Sequence, residues 1–181
     1  MGEELSRDYM GRVPILVGIL KGSTLFLADL VRRMTIDVEV DFIAISSYGE
    51  GIVTSGSVKL LKDLDRDVYD RDVLVIEDIV DSGLSLAYIK KSLAARNPRS
   101  VSVVALLDKR SKRTEGVYVD YVGFEIPDKF VVGYGLDFRE KYRGLPYVAV
   151  LSPAEVAEAE ARARAADRPA GGPAGTAGAG A

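Results

Sequence analysis

The amino-acid sequence predicts an α/β protein in which helices flank a central, mainly parallel sheet that carries a small antiparallel hood. In the first half of the chain, short apolar runs rich in branched residues alternate with segments of helical periodicity, as in strands joined by helical crossovers. Beyond Val101, strand-like runs follow one another without a helix between them. This succession indicates the antiparallel addition.

The first strand is predicted over Val13–Leu20, an apolar run that ends at Lys21-Gly22-Ser23. We expect the helix that follows to be capped by Ser23 or Thr24. Its apolar residues recur at helical spacing, at Leu27, Leu30, Val31 and Met34.

A second strand, Val38–Ser46, begins with alternating apolar and polar residues, which indicates one covered face. Residues 48–57 are rich in Gly, Ser and Thr, so we expect a mobile loop there before pairing resumes at Val58–Leu61. Val73–Ile76 is continuously apolar and is predicted to be a central strand buried on both faces. A helix containing Leu86, Ile89 and Leu93 should follow, with later strands at Val101–Leu107, Tyr118–Phe124, Phe130–Tyr134 and Tyr147–Leu151.

Composition limits the chemistry. The chain of 181 residues contains no cysteine and no histidine, which excludes disulfides, thiolate nucleophiles and histidine bases. A bound metal should therefore be a hard cation on oxygen ligands. The net charge of −3 does not favour nucleic-acid binding. No apolar run is long enough to cross a bilayer and the N-terminus resembles no secretion signal, so we expect a cytoplasmic protein without a membrane partner.

The composition changes after Leu151. We expect one domain over residues 1–151, and then a helix over residues 152–168 that begins with a capping box at Ser152 and Glu155. Residues 169–181 contain mainly Ala, Gly and Pro and are predicted to be disordered, because they cannot bury enough apolar surface to offset chain entropy.

A cluster of polar residues follows the central strand, where ligands bind in open α/β sheets. Glu77 and Asp78 have the oxygens to accept hydrogen bonds from the vicinal diol of a ribose, and Asp81 lies three residues further on. Next come Ser82, Gly83, Leu84 and Ser85, whose hydroxyl and backbone N–H groups at a helix start suit a phosphate. These features together predict a ribose-phosphate site. Taken alone, the carboxylates are also compatible with a solvated loop that favours the helix dipole.

This segment, VLVIEDIVDSGLS, resembles the phosphoribosyl pyrophosphate signature of the type I phosphoribosyltransferases, in which an apolar strand precedes two acidic residues and Asp-Ser/Thr-Gly-x-Ser/Thr. From about Asp8 to Leu151 the chain resembles the hypoxanthine-guanine phosphoribosyltransferases. The resemblance implies the type I phosphoribosyltransferase fold. It also implies transfer of a 5-phosphoribosyl group from phosphoribosyl pyrophosphate to N9 of hypoxanthine or guanine.

Further residues take their expected roles from this resemblance. Leu20, Lys21 and Gly22 match a pyrophosphate loop whose first peptide bond is often cis, although LKGS alone could be an ordinary turn. Ser47 and Tyr48 match the start of a flexible loop that closes over the reacting centre. Lys109 matches a lysine that donates a hydrogen bond to the purine O6, whereas adenine presents an amino group there.

The stretch Gly123–Val148 resembles the family almost continuously. Phe130 matches the aromatic residue that stacks on the purine, and Val131 the residue whose backbone contacts the base edge. Asp137 matches a carboxylate of the purine site that also binds magnesium, and Arg143 matches an arginine that contacts pyrophosphate. Outside this context Phe130 would be assigned to the core, and Asp137 with Arg143 to a surface ion pair.

The implied cofactor is Mg²⁺, held by Asp137, Glu77 and Asp78, and the expected general base is Asp81. The resemblance also implies a homodimer or a homotetramer. Two alternatives stay open: a regulator of the same fold that senses phosphoribosyl pyrophosphate while binding nucleic acid, and a phosphoribosyltransferase that prefers xanthine. The intact site residues and the lack of a basic module favour the enzyme over the regulator.

Overall fold

The computed structural model describes residues 1–47, 58–114 and 116–166. The strands within these residues are β1 (Ile15–Leu20), β2 (Glu39–Ser47), β3 (Val58–Lys62), β4 (Asp72–Val80), β5 (Ser100–Asp108), β6 (Tyr121–Glu125), β7 (Phe130–Val132) and β8 (Ala149–Leu151). The helices are α1 (Gly2–Asp8), α2 (Thr24–Val31), α3 (Leu84–Ala94) and α4 (Pro153–Ala166), and a short 3₁₀ helix spans Arg110–Lys112.

A six-stranded sheet in the order β3-β2-β1-β4-β5-β6 forms the centre of the fold. Its strands are parallel except β3, which runs antiparallel to β2 at one edge. Strands β7 and β8 form a separate two-stranded sheet. The predicted α/β fold is therefore confirmed. One detail differs, because the run near Tyr121 joins the main sheet parallel to β5 rather than entering the small sheet.

Two apolar layers cover the faces of the main sheet. Alternate residues of β4 point to opposite sides, so Val73 and Val75 pack in one layer while Leu74 and Ile76 pack in the other. Helix α3 contributes Leu86, Ile89 and Leu93 to the first layer, and α1 and α2 contribute Leu5, Phe26, Leu27 and Leu30 to the second. Burial on both faces explains why β1 and the Val73–Ile76 part of β4 are continuously apolar.

Two features of the fold were not predicted. Helix α1 has only seven residues, too few to show a periodic pattern, and it is fixed by tertiary contacts of Leu5 and Ser6. Strand β4 continues through the carboxylates to Val80, which pairs with Asp108 of β5. The polar residues ended the apolar run in the sequence but did not end the strand.

The predicted side-chain cap of α2 is wrong. Ser23 occupies the capping position, but its hydroxyl donates to the carbonyl oxygen of Ile19 at 2.7 Å. The hydroxyl of Thr24 likewise donates backwards, to the carbonyl oxygen of Lys21 at 2.7 Å. Both hydroxyls thus stabilise the turn after β1 instead of the first N–H groups of the helix.

The chain divides into two compact units, of which the first comprises Met1–Val150 and the second begins at Leu151. In the second unit α4 starts with the expected capping box, since Ser152 N–H donates to Glu155 Oε2 at 2.7 Å and Glu155 N–H donates to Ser152 Oγ at 3.2 Å. The domain limits proposed above stay predictions, and the predicted tail lies outside the described residues. Among the described helices, none has the length and apolar character needed to span a membrane.

Candidate active site

The candidate site lies where β1, β4 and β5 end. These strands are parallel neighbours, so the residues that follow Leu20, Val80 and Asp108 meet at one edge of the sheet. The segments after β4 and β5 are joined by backbone hydrogen bonds from Lys109 N–H to Val80 O at 2.9 Å and from Thr114 N–H to Ser82 O at 3.1 Å. These contacts bring together predicted site residues that are distant in sequence.

An open cavity of about 100 Å³ lies at the start of α3, lined by Glu77 and residues 79–86. Gly83 occupies the capping position with a φ of +86°, a conformation that favours glycine. Because glycine has no side chain, none covers the helix start at this position. The N–H of Leu84 reaches Ser82 Oγ only at a long 3.4 Å. Uncapped N–H groups facing a cavity suit an anion. The four predicted phosphate-binding residues, Ser82, Gly83, Leu84 and Ser85, all line this cavity.

Glu77 and Asp78 are partly buried carboxylates with raised pKa values. Burial raises the pKa of Glu77 well above its ordinary value, and repulsion from Asp78 adds to the effect. Burial also raises the pKa of Asp78, opposed by backbone N–H groups and by Arg143. Glu77 Oε2 is buried and has no hydrogen-bond partner within the described chain. A cation or hydroxyl donors at this position would favour the ionised carboxylates.

The predicted pyrophosphate loop contacts both β4 and the turn after β7. The Leu20–Lys21 peptide bond is cis, as the resemblance implies. A Cβ atom on Gly22 would lie 1.8 Å from Asp78 Oδ2, and a Cβ atom on Gly135 would lie 2.0 Å from the carbonyl oxygen of Gly22. Only glycine permits the first approach, and the φ of +99° at Gly135 further favours glycine there.

Four charged side chains form a network beside this loop. Arg143 contacts Asp137 Oδ1 at 2.8 Å and Glu140 Oε1 at 3.4 Å, and Lys21 contacts Glu140 Oε2 at 3.0 Å. The hydrogen bond from Lys21 lowers the pKa of Glu140. Arg143 also donates to the carbonyl oxygen of Gly135 at 2.8 Å. The two cations expected to bind pyrophosphate are therefore adjacent, with Glu140 between them.

A second charged cluster surrounds Lys109. This residue is only 7% exposed, and its ammonium lies 3.5 Å from Asp81 Oδ2 and 3.8 Å from Asp128 Oδ1. Lys112 contacts the same Asp128 at 3.0 Å. A donor and an acceptor thus stand side by side, as the predicted roles of Lys109 and Asp81 require.

Phe130 is 43% exposed and is not a core residue. Its ring meets the ring of Phe138 edge to face, with centroids 5.3 Å apart, so the buried Phe138 supports it from one side. Val131, the predicted base-edge residue, follows it in β7. An exposed, supported aromatic ring is suited to stacking on a flat ligand.

The residues present fit a magnesium ion. In residues 1–47, 58–114 and 116–166, no group of three or more acidic, histidine or cysteine side chains forms a metal cage. Mg²⁺ commonly binds one or two carboxylates and completes its shell with water and substrate phosphates. Glu77 provides a buried oxygen, Oε2, that has no hydrogen-bond partner within the described chain, and the partly buried carboxylate of Asp78 follows it. Asp137 is instead engaged by Arg143 and by the N–H of Glu140.

Some site residues lie outside these clusters or were missed. Ser47 ends β2, and Tyr48 lies outside the described residues together with the rest of the predicted loop. Glu140 and Asp128 belong to no motif and were not predicted as site residues. The one signal that the sequence offered for them is their position within the stretch Gly123–Val148. Their ion pairs could not be predicted, because their partners Lys21 and Lys109 are distant in sequence.

Comparison with known proteins identifies the family. The phosphoribosyl transferase domain family matches residues 2–139. The chain belongs to the phosphoribosyltransferase family. The sheet order described above is therefore that of the phosphoribosyltransferase fold, as the sequence predicted.

Individual phosphoribosyltransferases are similar along most of the chain. The hypoxanthine-guanine phosphoribosyltransferase of Bacillus subtilis is 50% identical over 154 residues, which cover 85% of this chain and 86% of the relative. The hypoxanthine-guanine phosphoribosyltransferase of Mycobacterium tuberculosis is 46% identical over 159 residues, covering 84% and 79%. The crystal structure of a hypoxanthine phosphoribosyltransferase from Staphylococcus aureus superposes with a TM-score of 0.81 at 45% identity, covering 84% and 83%.

Proposed function

We propose that this chain is a purine salvage enzyme that transfers the 5-phosphoribosyl group of phosphoribosyl pyrophosphate to N9 of hypoxanthine or guanine. The products are IMP or GMP and pyrophosphate, and the cofactor is Mg²⁺. Family membership and the names of the similar proteins support the reaction class. The arrangement of Asp81 and Lys109 supports the choice of base.

The separation of 3.5 Å between Lys109 Nζ and Asp81 Oδ2 is the observation that carries this proposal. A 6-oxopurine presents O6, an acceptor, beside N7 on one edge of the ring. When N7 carries a proton, the edge offers an acceptor and a donor, which Lys109 and Asp81 complement. Adenine presents an amino donor at position 6, which would face the Lys109 ammonium, also a donor, so that no hydrogen bond could form between them.

The residues around this pair would orient the reactants. Phe130 would stack on the purine, and the cavity at the start of α3 would hold the 5-phosphate through the N–H groups and hydroxyls of residues 82–85. Glu77 and Asp78 would accept hydrogen bonds from the ribose hydroxyls. Their negative charge would also favour the cationic character that develops on the sugar ring as pyrophosphate departs.

Proton and charge movements then follow from these positions. As N9 attacks the anomeric carbon and the bond to pyrophosphate breaks, Asp81 would take the proton from N7. Lys21 and Arg143 would stabilise the departing pyrophosphate. Glu77 and Asp78 would hold Mg²⁺, which when bound neutralises charge on the pyrophosphate oxygens. Asp137, the third predicted ligand, would have to exchange its contact with Arg143 for the ion.

The proposal is tested by measuring pyrophosphate release from phosphoribosyl pyrophosphate and Mg²⁺ with each purine in turn, with uracil as the control base. We expect release with hypoxanthine or guanine and none with adenine or uracil. Release with xanthine alone would make xanthine the substrate in place of hypoxanthine or guanine. If no base tested led to pyrophosphate release, the enzyme assignment would be contradicted. The homodimer or homotetramer and the cytoplasmic location stay predictions, the former testable by light scattering.

A further inference from the structure

We infer that the carboxylate of Glu140 competes with pyrophosphate for Lys21 and Arg143, so that this residue weakens pyrophosphate binding and promotes its release. The inference rests on the proposed function, which assigns those two cations to pyrophosphate. No role follows for Glu140 from the phosphoribosyl transfer itself, and its contacts are those of an anion placed between two cations.

The geometry uses both oxygens of the Glu140 carboxylate. Oε2 accepts a hydrogen bond from Lys21 Nζ at 3.0 Å, and Oε1 lies 3.4 Å from Arg143 Nη2. Lys21 belongs to the loop after β1, whereas Arg143 precedes β8, so Glu140 bridges two segments that approach each other at Gly22 and Gly135. One carboxylate thus spans both cations.

The backbone of Glu140 is held in place for this role. Its N–H donates to Asp137 Oδ2 at 2.8 Å, and Asp137 Oδ1 in turn contacts Arg143 at 2.8 Å. Glu140 and its neighbour Arg139 both have positive φ values, of 63° and 52°. The chain therefore turns sharply after Phe138, and the turn directs the Glu140 carboxylate to the cations.

The same contacts must be exchanged when pyrophosphate binds. Pyrophosphate carries several negative charges, and its oxygens require the donors that Glu140 occupies. The side chains of Glu140 and Lys21 are 66% and 65% exposed, so each ion pair is weak and can be displaced. Glu140 therefore limits the affinity for pyrophosphate without blocking the site, which favours turnover when product release is slow.

The test compares Glu140→Gln with Asp65→Asn by calorimetric titration with pyrophosphate in the presence of Mg²⁺. Both substitutions remove one negative charge from an exposed acid that contacts a lysine at 3.0 Å. Asp65 follows β3, and its N–H donates to Asp41 near the start of β2, at the sheet edge opposite the site. The control therefore matches net charge and pair geometry.

We expect the Kd of pyrophosphate to fall about three- to tenfold in Glu140→Gln, as the loss of two weak ion pairs predicts, and to change less than about twofold in Asp65→Asn. The tightening should diminish at high salt, because exposed charges are screened. A merely structural role for Glu140 would weaken pyrophosphate binding instead.

An unchanged or higher Kd in Glu140→Gln, or an equal fall in Asp65→Asn, would overturn the inference. The proposed function is judged separately by nucleotide formation in the unmodified protein. A protein that binds pyrophosphate more tightly after Glu140→Gln but forms no nucleotide with any purine would support the competition and contradict the proposed function.

Discussion

The carboxylate of Asp78 lies against the bare α-carbon of Gly22, and a methyl group on Gly22 would come within 1.8 Å of Asp78 Oδ2. This contact joins the end of β4 to the loop after β1. The carbonyl oxygen of Gly22 meets Gly135 on the opposite side. Three segments of chain therefore meet at one glycine, and the predicted pyrophosphate and ribose subsites share this point.

We predict that Gly22→Ala lowers kcat/KM for phosphoribosyl pyrophosphate at least about 100-fold, because displacement of site groups by an ångström has effects of this size. The new methyl group must displace Asp78 or the loop. Steady-state kinetics with hypoxanthine or guanine measures the effect.

Gly116→Ala provides the control, because a Cβ atom on Gly116 would meet no atom of the described residues within 4 Å. We expect this variant to retain the activity of the unmodified protein. Equal activity of Gly22→Ala would show that the Asp78 carboxylate moves without consequence and that the close contact does not constrain the site.

Asp81→Asn should leave the binding of phosphoribosyl pyrophosphate nearly unchanged and lower kcat by about 10²- to 10⁴-fold, the range for loss of a general base. Asparagine keeps the shape of the side chain and an oxygen for the ammonium of Lys109, which lies 3.5 Å away. It cannot accept the proton from N7. Calorimetry and single-turnover kinetics separate the two effects, and an undiminished kcat would remove Asp81 from the proposed role.

The central sheet could be predicted because its strands carry their own signal. Burial on both faces makes β1 and the Val73–Ile76 part of β4 continuously apolar, and the branched residues there leave little choice of structure. The extension of β4 through Glu77 to Val80 could not be predicted. Its pairing with β5 satisfies the backbone of residues whose side chains are typical of a loop.

The site could be predicted only where a continuous motif defines it. The segment from Glu77 to Ser85 is such a motif, and all of its residues except Asp78 line one cavity. Asp128 and Glu140 had no such motif, because ion pairs between segments distant in sequence leave no periodic trace. The prediction of a side-chain cap for α2 failed for a related reason. The Ser23 hydroxyl could donate to a carbonyl oxygen of the preceding strand as readily as it could accept from an N–H group of the helix.

Lys109→Met should lower kcat/KM for hypoxanthine and guanine by about 10- to 100-fold, because a hydrogen bond from a charged donor to O6 is lost. The preference for these bases over adenine should fall as well. Methionine fits the buried position, which is 7% exposed in the present protein. Kinetics with hypoxanthine, guanine and adenine measure both effects.

Lys112→Met is the matched control, since Lys112 contacts Asp128 as Lys109 does but has a half-exposed side chain. We expect its base preference to stay within about twofold of that of the unmodified protein, as for most exposed ion pairs. An equal loss of preference in both variants would assign the effect to Asp128 and to general charge, not to a donor at O6.

Glu77→Gln should stabilise the ligand-free protein at neutral pH. Burial and the neighbouring Asp78 raise the pKa of Glu77 well above its ordinary value of 4.5, so the folded state keeps the proton of Glu77 to a higher pH than the unfolded state does. The free energy of unfolding should therefore decrease as pH rises above that ordinary value and through the raised pKa. Glutamine cannot ionise and should remove this part of the pH dependence, with a gain of about 0.5–2 kcal/mol at pH 7, the size common for stabilising substitutions at functional sites. Chemical denaturation in the presence of a chelator, from about pH 5 to 8, measures how the free energy of unfolding of the two proteins depends on pH in the range where a raised carboxyl pKa affects stability.

The same slope of unfolding free energy against pH in both proteins would show that Glu77 is not protonated in the free site. A smaller slope in Glu77→Gln, together with reduced activity, would show that the Glu77 carboxylate is kept for binding at the expense of stability.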